Sequence, residues 1–254
     1  FNKNINMSFK EKVIVITGAG SGIGAATVRF FAKKEAYVVL ADISLEKMVD
    51  IADSIPMECM IQKTDVSQYD QMQSLAGAVI KKYGQIDVWV NNAGIGPTQM
   101  LKTADHSLQD WERVIAVNQS GVFYGMKVAL PAMLKQGSGN IVNVASLAGL
   151  KASGNNISYV ASKFAVVGMT KAAALEYAKK NIRINAVCPG YTDTNMLRQL
   201  LEVKPEIEDK LKSHIPMGRF GKATEVATAI GWLASDQTQF MTGQTLSLDG
   251  GTSL

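Results

Sequence analysis

The 254-residue chain is poor in the residues that staple or metallate a fold: two cysteines and two histidines in all. Cys59 and Cys188 lie outside any CxxC spacing, so neither a disulfide framework nor a zinc knuckle is indicated, and a reducing cytoplasm fits best. His106 and His214 form no HxxxH pair, so we expect no metal site. No apolar stretch reaches membrane-spanning length, and the N-terminus lacks the charged-then-apolar order of a signal peptide. Charge is also scarce in any concentrated form. The 26 Lys and Arg against 22 Asp and Glu leave +4, scattered along the chain, with no footprint for nucleic acid or anionic lipid. A small-molecule partner is expected. Residues 1–6 precede Met7 and are set aside as an N-terminal extension or expression remnant, which leaves 7–254 as one domain.

What is present is alternation. Short β-branched runs are expected as strands at Val13–Thr17, Tyr37–Ala41, Cys59–Lys63, Ile86–Val90, Asn140–Ala145, Arg183–Val187 and Thr245–Leu248. Between them the periodicity predicts helices at Gly22–Lys34, Leu45–Ser54, Tyr69–Tyr83, Leu108–Lys135, Ser158–Lys179 and Thr224–Ala234. This is an α/β pattern: a doubly wound, seven-stranded parallel sheet with helices on both faces and a crevice where the strand order reverses. Tyr191–Met217 has weak helical periodicity, two prolines and no strand, and reads as a lid or substrate loop.

The first strand runs into Thr17-Gly18-Ala19-Gly20-Ser21-Gly22-Ile23-Gly24 and then a helix. Glycines there let backbone N–H groups approach a pyrophosphate seated on the positive end of that helix. The spacing departs from GxGxxG, because the sixth position from Gly18 is Ile23, so a different subfamily of turn is implied. The second strand ends at Asp42, whose carboxylate suits the adenosine ribose hydroxyls and repels a 2′-phosphate; neither Ser21 nor Ile43 supplies a cation for one. NAD is therefore favoured over NADP. The plainer role for Asp42 is capping the next helix, with Ser44 as a rival cap.

Tyr159 and Lys163 stand four apart at a helix start and share a face. A neighbouring ammonium favours a phenolate, so the pair is expected to trade a proton with an alcohol near neutral pH. The spacing alone proves little. Its context adds weight: the fifth strand ends at Val144-Ala145-Ser146, aiming a hydroxyl from the carboxyl edge 13 positions before Tyr159.

These residues together resemble the short-chain dehydrogenase/reductase family, in its single-domain branch. The resemblance runs from about Phe9 to the end. It rests on the Thr17–Gly24 turn, Asn91-Asn92-Ala93-Gly94, Asn118, Ser146, Tyr159 with Lys163, Pro189-Gly190 and Asp249-Gly250-Gly251. It implies a Rossmann-type sheet and a nicotinamide dinucleotide. Tyr159 would be the acid/base, with Ser146 bonding the substrate oxygen. Lys163 would hold the nicotinamide ribose and lower the tyrosine pKa, and Asn118 would position a water. Plainer rivals are a buried helix residue for Asn118 and a turn or cap residue for Ser146. The resemblance also assigns Asp65 and Val66 to the adenine, Asp65 having a cap as its rival. Asn92, Ala93 and Gly94 form a wall beside the ribose and nicotinamide half, and Thr192 and Thr194 face the carboxamide. Cys188 reads as a buried small hydrophobe.

The substrate pocket is placed among Ile95–Met100, Leu147–Asn155 and the Tyr191–Met217 segment, including Met196, Leu197, Leu200 and Leu201. This favours a modestly apolar ketone or alcohol, although the same residues could be a lid packing on its own domain. Ala161, Ala165, Gly168 and Ala172 form a small-residue stripe whose default partner is the home sheet; the resemblance implies a homo-oligomer, a tetramer. The leading expectation is an NAD-dependent oxidoreductase of secondary alcohols or ketones. The alternatives are an NADPH-dependent 3-oxoacyl thioester reductase and a non-catalytic dinucleotide sensor.

Overall fold

The structure, a computed structural model, describes residues 7–254, the side chain of Val203 excepted. Seven parallel strands form one sheet: β1 (Val13–Thr17), β2 (Tyr37–Asp42), β3 (Met60–Lys63), β4 (Val88–Asn91), β5 (Gly139–Val144), β6 (Ile182–Pro189) and β7 (Thr245–Leu248). Their order is β3-β2-β1-β4-β5-β6-β7. Winding runs outward from β1 in one direction and from β4 in the other, so the crevice opens between their carboxyl ends.

All five β1 residues are buried, as expected for a strand covered on both faces. Alternation divides them. Val13 and Val15 join a core with Trp89, Met126 and Ile141, whereas Ile14 and Ile16 pack with Val28, Phe31, Val88 and Val90 on the opposite face. The helices are α1 (Gly22–Ala32), α2 (Leu45–Asp53), α3 (Tyr69–Tyr83), α4 (Leu108–Ile115), α5 (Gly121–Gln136), α6 (Ile157–Tyr177), α7 (Asn195–Val203), α8 (Glu208–Ser213) and α9 (Ala223–Ala234). Among the described residues no helix is long and apolar enough to cross a membrane.

Four details differ from the sequence expectation. The single helix foreseen over Leu108–Lys135 is two helices joined by a π-turn at Ala116–Ser120, where the Gly121 N–H reaches back to the Ala116 carbonyl. Strand β4 begins at Val88 rather than Ile86, because Ile86 is held by the Gln136 side chain instead of a strand partner. The segment 191–217, expected without a strand, contains α7 and α8, and Thr192–Asp193 pairs with Gly221–Lys222 in a two-residue ladder. Finally, the small-residue stripe of α6 faces away from the sheet. The buried face is Ser158, Ser162, Lys163, Val166, Val167, Thr170, Ala173 and Ala174, and a Cβ added at Gly168 would meet open space.

Candidate active site

A cleft of about 640 Å³ lies along the carboxyl edge of the sheet. It gathers Gly18, Ser21, Ile23, Asp42, Ile43, Asp65, Val66, Asn92, Ala93, Gly94, Ser146, Tyr159, Lys163, Pro189 and Thr194, residues far apart in the chain.

The phosphate end is built from β1, β4 and α1. Asn92 ties them together: its side-chain amide donates to the Thr17 and Gly18 carbonyls at 2.9 and 3.1 Å, while its backbone N–H donates to Thr17 Oγ1 at 3.0 Å. Gly18 adopts φ +64°, and a Cβ on Gly24 would overlap the Gly18 carbonyl oxygen. Gly24 therefore sits beneath the cleft and lets the turn close. Helix α1 begins at Gly22, and Ser21 before it makes no side-chain capping bond; its first turn has no acidic residue. An uncapped helix start facing a cleft fits a pyrophosphate, so the residues present suit a dinucleotide.

At the ribose end, Asp42 accepts the Gly20 N–H on Oδ2 at 2.9 Å and the Ser44 N–H on Oδ1 at 3.0 Å. Ser44, not Asp42, caps α2, accepting the Lys47 N–H. Asp65 braces its own loop, with Oδ1 accepting both the Ser67 N–H and hydroxyl. It caps no helix, since α3 starts at Gln68 without a side-chain cap.

At the chemical end, Ser146 follows β5 and accepts the Ala148 N–H at 3.1 Å, holding a short helical turn over Leu147–Gly149. Helix α6 brings Tyr159 and Lys163 to the same place. Lys163 Nζ donates to the Val144 carbonyl at 2.9 Å and lies 5.6 Å from the Tyr159 ring centroid. Here the sequence expectation of an acidified tyrosine is corrected. Burial pushes the Tyr159 phenol above its ordinary value, and a hydrogen bond with Ser146 pulls it only partly back. Burial likewise lowers Lys163 to about 8, opposed by the nearby Cys188 thiol. Desolvation is the largest cause of both shifts, each toward the group's neutral form.

Four of the expected residues lie behind the cleft: Gly24, as above, and Asn118, Gly190 and Thr192. Asn118 is wholly buried in the π-turn: Oδ1 accepts the Ile95 N–H at 2.8 Å, and Nδ2 donates to the Ile95 carbonyl at 2.9 Å and to Ser162 Oγ at 3.2 Å. Its side chain thus satisfies both backbone groups of Ile95 and reaches α6 through Ser162. Gly190 packs against Asp249, where a Cβ would stand 2.9 Å from the Asp249 Cα. Thr192 is buried and donates to the Gly190 carbonyl at 3.1 Å. Cys188 is fully buried, and desolvation pushes its thiol up to about 11.

The cleft also holds residues that the sequence did not single out, among them Lys47, Arg113 and Val117. Arg113 donates to the Gly96 carbonyl at 2.9 Å and pairs with Asp110 at 2.7 Å, bracing the segment after β4. Its only sequence signal was the i,i+3 spacing from Asp110 on α4. Of the expected substrate walls, Ile95 and Met196 line the cleft, whereas Leu197 is buried and Leu147–Asn155 lies outside it.

A family model described as enoyl-(acyl carrier protein) reductase matches residues 18–253. The 3-oxoacyl-(acyl-carrier-protein) reductase FabG of Thermotoga maritima is 43% identical over 248 residues, covering 96% of this chain and 99% of that protein. Cyclohexanol dehydrogenase of an Acinetobacter species is 40% identical, covering 98% and 97%. Among solved structures, levodione reductase superposes with a TM-score of 0.92 at 34% identity, covering 96% and 98%. With likeness extending over nearly the whole of each relative, the chain belongs to the short-chain dehydrogenase/reductase family, as an NAD(P)-linked oxidoreductase acting on CH–OH groups.

Proposed function

We propose that the chain is an NAD-dependent oxidoreductase that interconverts a secondary alcohol and a ketone, with Tyr159 as the acid/base. One observation carries this reading. The Tyr159 hydroxyl shares the cleft with Ser146, while Lys163 is fastened beneath both by the Val144 carbonyl.

When bound, a nicotinamide dinucleotide supplies the hydride acceptor or donor. The chain's own residues supply the proton and the alignment. Tyr159 Oη gives a proton to the ketone oxygen in reduction and takes it from the alcohol in oxidation. Ser146 Oγ accepts from Ala148 and bonds to Tyr159, and its O–H would turn to donate to the same oxygen when substrate is bound. A buried ammonium at Lys163 stabilises the phenolate that oxidation requires and is placed to bond the nicotinamide ribose. Asp65 and Val66 would flank the adenine, with Gly94 and Thr194 toward the nicotinamide. Asp42, held by two backbone amides, favours free ribose hydroxyls and hence NAD.

For substrate we favour a medium-sized, modestly apolar ring or chain. The apolar Ile95 and Met196 in the cleft support this, as does likeness to proteins named for cyclohexanol and levodione. The 43% identical relative named as a 3-oxoacyl reductase favours a second reading, an NADPH-dependent thioester reductase. The outward small-residue face of α6, which also carries the exposed Phe164, supports a homo-tetramer, measurable by light scattering.

The decisive test is a panel of cyclic and linear secondary alcohols, their ketones and an acetoacetyl thioester, each with NAD(H) and NADP(H), read at the reduced-nicotinamide absorbance. Tyr159→Phe is expected to lower turnover by about 10²–10⁴ while nucleotide still binds. Undiminished turnover would refute the assigned role.

A further inference from the structure

The ribose end of the cleft carries a cation beside the carboxylate. Asp42 is fixed between the Gly20 and Ser44 amides, so it cannot swing clear of a group seated next to it. Lys47 leaves from the same patch of wall. A Cβ built on Gly20 would stand 3.0 Å from the Lys47 Cβ and 3.2 Å from Asp42 Oδ2, and both side chains line the cleft. Lys47 occupies the third position of α2 after its cap, where Glu or Gln commonly closes a capping box and where the helix dipole disfavours a cation. No salt bridge among the described residues engages it.

We propose that Lys47 is a specificity-determining residue: it offsets the repulsion of Asp42 toward a ribose 2′-phosphate, so that the cleft takes NADP as a second cofactor behind NAD. The proposal rests on the reading of this cleft as a dinucleotide site. Asp42 alone would set one negative charge against the roughly two of a 2′-phosphate. A lysine suits the counter-role because its ammonium is a point charge on a flexible stem, able to meet a phosphate without the fixed fork geometry of arginine. Lys63 is paired in register with Asp42 on β3 but is exposed and outside the cleft, so it serves as a matched control.

The experiment is a fluorescence titration of wild type, Lys47→Ala and Lys63→Ala with NADH and with NADPH, at low salt and at about 0.5 M salt. Lys47→Ala is expected to weaken NADPH relative to NADH by about five- to tenfold at low salt, with the change shrinking at high salt, while Lys63→Ala keeps the wild-type ratio. A Lys47→Ala ratio equal to wild type, in a protein that binds both nucleotides, overturns the role of Lys47 and leaves the cofactor reading intact. Failure of the wild type to bind either nucleotide overturns the cofactor reading, and this proposal with it. Lys47 is exposed on the first turn of α2, so its replacement removes no core contact.

Discussion

The Lys163 ammonium is fastened to the Val144 carbonyl at 2.9 Å, two residues before Ser146 on the same strand end. Helix α6 and strand β5 are thereby joined through a buried charge whose natural state in water is protonated but whose surroundings press it toward neutrality. The same surroundings hold the phenol of Tyr159 in its protonated form. The resting site is poised to give a proton.

That state predicts an asymmetric response to pH. Ketone reduction uses the protonated phenol and is expected to proceed at neutral pH. Alcohol oxidation uses the phenolate, and since burial raises the phenol's pKa, its rate is expected to climb from pH 6 toward 8, the range over which the Lys163 ammonium that stabilises the phenolate persists. Initial rates in both directions between pH 6 and 10 check this; an oxidation profile already flat from pH 6 to 8 would contradict it.

A second prediction concerns stability. Lys163 falls from an ordinary 10.5 to about 8 in the folded chain, so below pH 8 its burial costs about 3 kcal/mol. Between about 8 and 10.5 the unfolded state binds more protons than the folded one, and this penalty fades as pH rises. Lys163→Met is therefore expected to raise the nucleotide-free midpoint of urea unfolding at pH 7, with the gain disappearing toward pH 10.5. Activity should be lost throughout.

Asn118 offers a third. Replacing it with Ala strands the Ile95 N–H and C=O, for a loss of about 2–4 kcal/mol. The expected signature is a lowered unfolding midpoint together with loosened hydrogen exchange at Ile95. A fully stable Asn118→Ala protein with reduced turnover would instead favour a direct catalytic role.

Two helical glycines make a matched pair for the fourth. A Cβ on Gly125 would overlap Asn91 Oδ1 and break a buried relay in which Trp89 Nε1 donates to Asn91 and Asn91 donates to Asn143. Gly125→Ala is expected to cost about 1–3 kcal/mol. Gly77 has nothing within 4 Å of such a Cβ, so Gly77→Ala should gain up to about 1 kcal/mol. Urea titrations followed by tryptophan fluorescence distinguish the two.

How far the sequence could be read depended on distance along the chain. The β1 run, the glycine turn and the Tyr159–Lys163 face were legible because each is a local pattern. The π-turn was not, because apolar residues continue through it at Val114, Val117 and Val122, so one inserted residue leaves the periodicity nearly undisturbed. Nothing in the sequence marked Lys47; only the fold of the Gly20 turn against α2 brings it to the cleft. The sign of the Tyr159 shift also escaped, since spacing reveals a neighbouring cation but not the burial that overrides it.

The wide turn at Ala116–Ser120 has a geometric consequence for everything after it. An i→i+5 turn holds one residue more than an α-helical turn, so removing one position there would close an unbroken rod with the buried edge of α5, Val122, Met126 and Met133, still toward the sheet, and would lose the bulge that carries Asn118. The stretch is a one-residue slack in an otherwise continuous rod, and its length fixes the placement of Asn118 rather than the facing of α5.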